Sequence, residues 1–356
     1  MSALTVGATR EGPSSRKKKR VEIMRIAVDA MGGDQAPEVV IQGALQAASE
    51  WGYEIILVGR EDAIEAGLIG SSGRTLIHVH HCSETILMGE SPVKAVRRKK
   101  DSSIRVAFGL VKRGEADAVV SAGNSGAVLT AAVQALGRIK GVDRPAFVGI
   151  FPGVRGDVIL IDVGANVDCR PAQLFQFGVM AHSFALSCMN MKDPEIGLLS
   201  IGQEGGKGNE QVRQAHDLFM GSHLRFAGNV EGRDILSGRF QIIVCDGFVG
   251  NVVLKLVEGM AETLYPLLND AIGDRTEGGG SLEWLKKKLD YSEYGGAPIL
   301  GVRGVGIVCH GGSSAKAIKN GIRTAAEYVR KDLPNRLASH IDLFRGAPGK
   351  QVHAAV

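Results

Sequence analysis

Lys207 stands in the run Ser200-Ile201-Gly202-Gln203-Glu204-Gly205-Gly206-Lys207-Gly208-Asn209, an ammonium group set among glycines. It reads as a charge clamp on a phosphate or carbonyl oxygen, or as a solvated loop charge. Five more loops put glycine beside Asp, Asn, Ser or His: Asp29-Ala30-Met31-Gly32-Gly33-Asp34, Ser121-Ala122-Gly123-Asn124-Ser125-Gly126, Asp162-Val163-Gly164-Ala165-Asn166, Asp246-Gly247-Phe248-Val249-Gly250-Asn251 and His310-Gly311-Gly312-Ser313-Ser314. Each closes an apolar run, and a helical pattern follows most of them. Where such a loop opens a helix, unpaired N–H groups and a partial charge of about +0.5 suit phosphate or an oxyanion. The Asn124-Ser125-Gly126 and Gly311–Ser314 stretches fit that use best. Asn251 is either a helix cap or an oxyanion donor. The carboxylates Asp29, Asp34, Asp162 and Asp246 either cap loops and pair with Lys207 or Arg170, or supply an acid for a leaving group.

Other chemistries are poorly served. The glycines of Gly301-Val302-Arg303-Gly304-Val305-Gly306 have the wrong spacing for a dinucleotide fingerprint and precede their strand. Gly208 stands where a Walker loop needs Ser or Thr. No cofactor and no metal are expected. His78-Val79-His80-His81-Cys82 resembles a metal cluster, but alternate strand residues face opposite ways. The same argument separates Cys309 from His310 as nucleophile and base. The five cysteines are dispersed without a C-x-x-C pair, which fits a reducing cytoplasm. No run of 18 apolar residues and no signal peptide is seen. Residues 1–23 hold six basic and two acidic groups, the whole of the net +4. The remainder is neutral, so nucleic acid is not an expected partner.

Apolar strand-like runs at 25–29, 55–58, 118–121, 146–151, 158–163, 196–199, 241–245 and 306–309 must carry these loops. Helical patterns at 39–49, 104–113, 126–136, 171–189, 210–219 and 251–268 lie between several of them. That alternation predicts an α/β fold: a Rossmann-like three-layer α/β/α sandwich with a mainly parallel sheet, covered on both faces. Ligands then bind beyond the carboxyl ends of strands, and the six loops are expected along one sheet edge. Residues 1–23 read as a disordered basic extension, 24–335 as the α/β domain, and 336–356 as a C-terminal tail. A helical excursion at about 260–297 carries Leu282, Leu285 and Leu289 at helical spacing, beside Trp284 and three lysines. It would lie on a membrane surface or pack on a second subunit. The dense run Arg97, Arg98, Lys99 and Lys100 is a solvated face or a landing site for an acidic partner.

Taken together, the segments 26–34, 97–103, 121–126, 162–166, 202–209 and 246–251 resemble the PlsX family of phosphate acyltransferases, over about residues 24–328. That family makes acyl phosphate from acyl-acyl carrier protein and inorganic phosphate in bacterial phospholipid synthesis. The resemblance implies a fold related to phosphate acetyltransferases and isocitrate-dehydrogenase-type enzymes, and a homodimer. It also implies a cytoplasmic enzyme associated peripherally with membrane, feeding a membrane glycerol-phosphate acyltransferase. By the same analogy Lys207 and Asn251 lie at the reaction centre. Asp29, Gly32, Gly33, Asp34, Gly123, Asn124, Ser125, Gly126, Asp162, Asn166, Asp246, Gly311 and Ser313 are expected around phosphate and substrate. A phosphate acetyltransferase using a short acyl-CoA, a dehydrogenase on a related fold, and a non-catalytic membrane-surface scaffold are the rivals.

Overall fold

The computed structural model describes residues 23–272, 288 and 290–346. Eleven strands form one sheet: β1 (Arg25–Asp29), β2 (Glu54–Gly59), β3 (Ile77–His81), β4 (Ala118–Ser121), β5 (Ala146–Gly153), β6 (Gly156–Ile161), β7 (Ile196–Leu199), β8 (Phe226–Val230), β9 (Ile242–Val244), β10 (Ala297–Leu300) and β11 (Val305–Val308). The helices are α1 (Glu38–Trp51), α2 (Glu61–Leu68), α3 (Pro92–Arg98), α4 (Ser103–Lys112), α5 (Ser125–Leu136), α6 (Pro171–Cys188), α7 (Glu210–Met220), α8 (Gly247–Ile272), α9 (Ala315–Arg330) and α10 (Leu333–Gly346).

The short apolar runs form strands because both of their faces are covered. Ile26 and Val28 of β1, Val120 of β4 and Ile159 of β6 enter one core with α1, α6, α7, α9 and α10. Their neighbours Ala27, Val119 and Leu160 enter a second core with α3, α4 and α5. Period-two alternation thus divides the central strands between two apolar layers, while the edge strand β3 gives Ile77 and Val79 to the first core alone. Phe108 is fully buried on one side and Phe177, Phe184 and Phe219 on the other. Each burial contributes about 1.5–3 kcal/mol.

The strand order is β3-β2-β1-β4-β11-β10-β5-β6-β9-β7-β8. The outer ladders are parallel, while β10 runs antiparallel to both β11 and β5, and β5 antiparallel to β6. Three reversals separate β11 from β6. The strands β3-β2-β1-β4-β11 therefore point one way and β6-β9-β7-β8 the other. This corrects the expectation of six loops along one edge: the β1, β4 and β11 loops leave one end of the sheet, and the β6, β7 and β9 loops leave the other.

Two boundaries also differ from expectation. The last helix runs from Leu333 to Gly346, across the expected boundary at residue 335, and its Leu333, Leu337 and Ile341 are buried. At its other end, α8 begins at Gly247, four residues ahead of Asn251. The expected stripe at 281–291 lies almost wholly outside the described residues. No described helix is long and apolar enough to cross a membrane.

Candidate active site

A cavity of about 380 Å³ lies along β5, within the usual range for small-molecule sites. Phe147, Val148, Gly149, Ile150, Phe151 and Pro152 run its length, so the trench joins the two ends of the sheet. Gly123, Ser125, His310, Gly311 and Ser313 come to it from the first half, and Val163 and Gly164 from the second. Helix α8 forms a side wall with Asn251, Leu254, Lys255, Val257 and Glu258. Its seven-residue advance from Asn251 to Glu258 spans about 10 Å. One helix thus bridges loops that the strand directions keep apart.

The carboxylates at the strand ends build the loops. Asp29, fully buried, accepts from Ser121 Oγ at 2.7 Å and from the Met31 N–H at 3.2 Å, tying the β1 and β4 loops together. A Cβ on Gly32 would stand 2.7 Å from Gly123 N, so glycine is needed where these loops meet. Asp162 accepts from the backbone N–H groups of Phe147, Ala165 and Asn166 and from Asn166 Nδ2, at 2.7–3.1 Å. Burial pushes the Asp29 and Asp162 carboxyls above the ordinary carboxylate value, against the lowering effect of these bonds. Asp246 Oδ1 accepts from Val249 N at 2.9 Å in the first turn of α8. Arg170 pairs with Asp143 at 2.6 Å, not with the strand-end aspartates expected of it.

These bonds consume amides that the sequence pattern counts as open, namely those of Ala165, Asn166 and Val249. Asn124 is likewise occupied: its Oδ1 accepts from Ala127 N, and its Nδ2 donates to the carbonyls of Met88 and Glu90. Gly126 is apposed to Pro92, where a Cβ would meet Cγ at 2.7 Å. Asn166 donates to Pro145 O and is buried. Of the residues expected around substrate, the cavity wall gathers Gly123, Ser125, Asn251, Gly311 and Ser313. Asp29, Gly32, Gly33, Asp34, Asn124, Gly126, Asp162, Asn166 and Asp246 are not part of that wall.

Asp246 does the capping, which leaves Asn251 in the second turn with its side chain toward Gly164; a Cβ there would lie 3.5 Å from Asn251 Oδ1. Among the described residues the Asn251 amide has no hydrogen-bond partner. That frees it for a ligand. Lys207 is exposed on the loop after β7, outside the cavity wall. β7 lies two strands from β6 and runs parallel to it, so this loop leaves the same end of the sheet as Gly164.

Two cavity groups escaped the sequence reading. Glu258 Oε1 lies 2.8 Å from His310 Nε2, while its Oε2 lies 3.0 Å from Lys255 Nζ. Lys255 Nζ is also 2.7 Å from His310 Nε2. Asn251, Lys255 and Glu258 follow one another at i, i+4 and i+7, a polar stripe in an apolar helix and the signal that could have found them. Cys309 is not the partner of His310: its thiol donates to Gly295 O at 3.6 Å, and burial pushes it up to about 12.

A family model described as "Fatty acid synthesis protein" matches residues 24–336. The phosphate acyltransferase of Geobacter sulfurreducens is 50% identical over 329 residues, covering 90% of this chain and 94% of that protein. The phosphate acyltransferase of Pelotomaculum thermopropionicum is 47% identical over 338 residues, covering 92% and 99%. The chain belongs to the phosphate acyltransferase family. Membership makes it an acyltransferase, as the PlsX resemblance implied. Among solved structures, a phosphotransacetylase from Streptococcus pyogenes superposes with a TM-score of 0.60 at 20% identity, covering 87% of this chain and 95% of that one. A branched-chain phosphotransacylase from Enterococcus faecalis gives 0.56 at 15%, covering 86% and 99%. These two show that the phosphate acyltransferase family shares its α/β fold with them.

Proposed function

We propose that the protein moves a long-chain acyl group from acyl carrier protein to inorganic phosphate, releasing acyl phosphate and free carrier. The observation that carries this reading is the cavity: apolar walls from Met88, Phe147, Ile150, Phe151, Leu254 and Val257, with the unpartnered Asn251 amide among them. Each methylene buried against such walls adds about 0.8 kcal/mol, which favours a fatty chain over acetyl. The Asn251 amide stabilises the oxyanion that forms as phosphate attacks the thioester carbonyl. Phosphate sits on open N–H groups where α5 and α9 begin, and Lys207 supplies charge from the facing rim as its loop approaches. Thiolate is a leaving group good enough that no covalent enzyme intermediate is required.

The carrier docks on the basic face of α3. Lys99 is bound internally to Thr85 O and Glu90, both at 2.6 Å, whereas Arg97, Arg98 and Lys100 are exposed. The neighbouring loop brings Met88 to the cavity wall, so an acidic carrier held there stands beside the entrance. On the outer face of α8, Phe248, Val252, Leu256, Met260, Leu264 and Leu267 form an exposed apolar stripe. It supports a homodimer and peripheral contact with a membrane, where a glycerol-phosphate acyltransferase would consume the reactive product.

Incubation with palmitoyl-carrier protein and phosphate, with hydroxylamine to trap acyl phosphate, tests the reading. Hydroxamate that depends on both substrates is expected. Turnover of acetyl-CoA in preference to the palmitoyl donor would establish the short-chain rival instead. Lys207→Ala should abolish phosphate-dependent thiol release while the fold survives; near-wild-type turnover removes Lys207 from the mechanism.

A further inference from the structure

We propose that His310, held by Glu258 and Lys255, carries the proton from attacking phosphate to departing sulfur. The inference rests on the acyltransferase reading and adds to it the acid–base group that reading lacks. Chemistry requires only one proton to move. As a hydrogen phosphate oxygen bonds to the carbonyl carbon, that anion gives up its hydroxyl proton. As the C–S bond breaks, its electron pair leaves with sulfur and takes up a proton. The products are the acyl phosphate dianion and a neutral thiol, so a single relay balances the reaction without solvent acid or base.

The geometry points to His310 for three reasons. First, it lies on the cavity wall between Cys309 and Gly311, directly ahead of the α9 N-terminus where phosphate is read to sit. Second, the ring is held from two sides: Glu258 Oε1 lies 2.8 Å from Nε2, and Lys255 Nζ, bound to the other carboxylate oxygen, lies 2.7 Å from Nε2 and 3.0 Å from Nδ1, so a substrate oxygen or sulfur reaches the ring by displacing the ammonium from one nitrogen. A base fixed by a carboxylate is the arrangement that general acid–base catalysis uses. Third, Lys255 follows Asn251 by one turn of α8, a rise of about 6 Å. A tetrahedral centre with its oxyanion on the Asn251 amide would fit that span, its phosphate or sulfur substituent reaching the imidazole.

No other cavity group serves as well. The Cys309 thiol is pushed up to about 12 and the Tyr294 hydroxyl to about 12, in both cases by burial. Burial also raises Glu258, with the Lys255 bond opposing it. Among the described residues, the ionisable groups that face the ring or its partners include Lys255, Glu258 and Glu262 on α8, Asp34 in the β1 loop next to Gly311, and Tyr294 and Cys309 on the wall.

Leaving-group dependence tests the relay. Two acyl donors are compared at saturating phosphate: an S-acyl pantetheine, whose alkyl thiol needs a proton, and an S-acyl 4-nitrothiophenol, whose thiolate leaves without one. For His310→Gln, kcat on the pantetheine donor should fall by about 100-fold or more, within the usual range for acid–base groups. Loss on the aryl donor should be at least about tenfold smaller, because only the sulfur half of the relay becomes dispensable. Glu258→Gln should give an intermediate loss with the same donor preference. Equal losses on both donors, or none on either, would overturn the proposal. Wild-type pH–rate profiles give a second measurement that needs no variant: the limb for the pantetheine donor should weaken or vanish for the aryl donor, and identical profiles refute the relay. If wild-type enzyme releases no thiol in response to phosphate from either donor, the acyltransferase reading itself has failed. That result is distinct from every pattern above.

Discussion

Replacing Gly250 by alanine should disable the enzyme without touching a single cavity side chain. Gly250 lies in the first turn of α8, its N–H bonded to Asp246 O at 3.0 Å. An added methyl would fall inside the carbonyl oxygen of Asp162, 2.9 Å from that carbonyl carbon and 3.0 Å from Cys245 Sγ. Ordinary carbon contacts need about 3.5–4.0 Å, so the helix start must retreat by roughly 1 Å. Overpacking of this kind costs about 3 kcal/mol at the upper end of its usual range. Asn251 is the next residue and Lys255 and Glu258 ride the same rod, so all three shift with it. A 1 Å displacement of positioned groups is worth about 100-fold in rate. Gly259→Ala, nine residues along α8, is the control: nothing lies within 4 Å of its methyl, and helix propensity should add up to about 1 kcal/mol. Urea unfolding and hydroxamate formation on both variants check the pair. Wild-type stability and turnover in Gly250→Ala would show that α8 does not hold the site through this contact.

Further outcomes follow from the same structure. Asp162 has its folded carboxyl value raised above 3.8, chiefly by burial, so its contribution to stability is full below that value and is lost as pH rises through the folded one. Asp162→Asn should therefore destabilise the protein more at pH 4 than at pH 7, and urea titrations showing the opposite order refute this. Cys82, Cys169 and Cys309 are all pushed up to about 12 by burial, so iodoacetamide at pH 7.5 should leave activity intact. Rapid inactivation with label on Cys309 would contradict that. Reversing Arg97, Arg98 and Lys100 to glutamate should raise KM for an acyl-carrier donor about tenfold and leave KM for acyl-pantetheine unchanged. An equal rise for both donors would place the defect elsewhere.

The loops were legible in the sequence because each needs a glycine at a fixed place, as Gly32 is needed against Gly123 N. Strand direction was not. The run 297–300 is too short and too apolar to announce itself, yet β10 and β5 reverse the sheet and send three of the six loops to its far end. Asn251 drew notice for its position at a helix start, whereas Asp246 takes the cap and leaves the amide to the cavity. His310 was weighed against its chain neighbour Cys309, but its carboxylate partner lies 52 positions earlier, from Glu258 to His310. Pairings across such distances belong to the tertiary structure. Leu333, Leu337 and Ile341 recur every four residues, a helical signal that the expected boundary at residue 335 cut through.

The place of β11 between β4 and β10 has a consequence for synthesis. Val305 pairs with Ala118, a strand completed 187 positions earlier, counting from 118 to 305. On the ribosome, the open side of β4 must wait while the whole second half of the sheet emerges. Unpaired edges of this kind recruit other chains, and distant pairings form slowly. Nascent chains stalled before residue 305 should therefore be the species that chaperones bind, and the arrival of Val305–Val308 decides whether the strands through β4 become folded protein or aggregate.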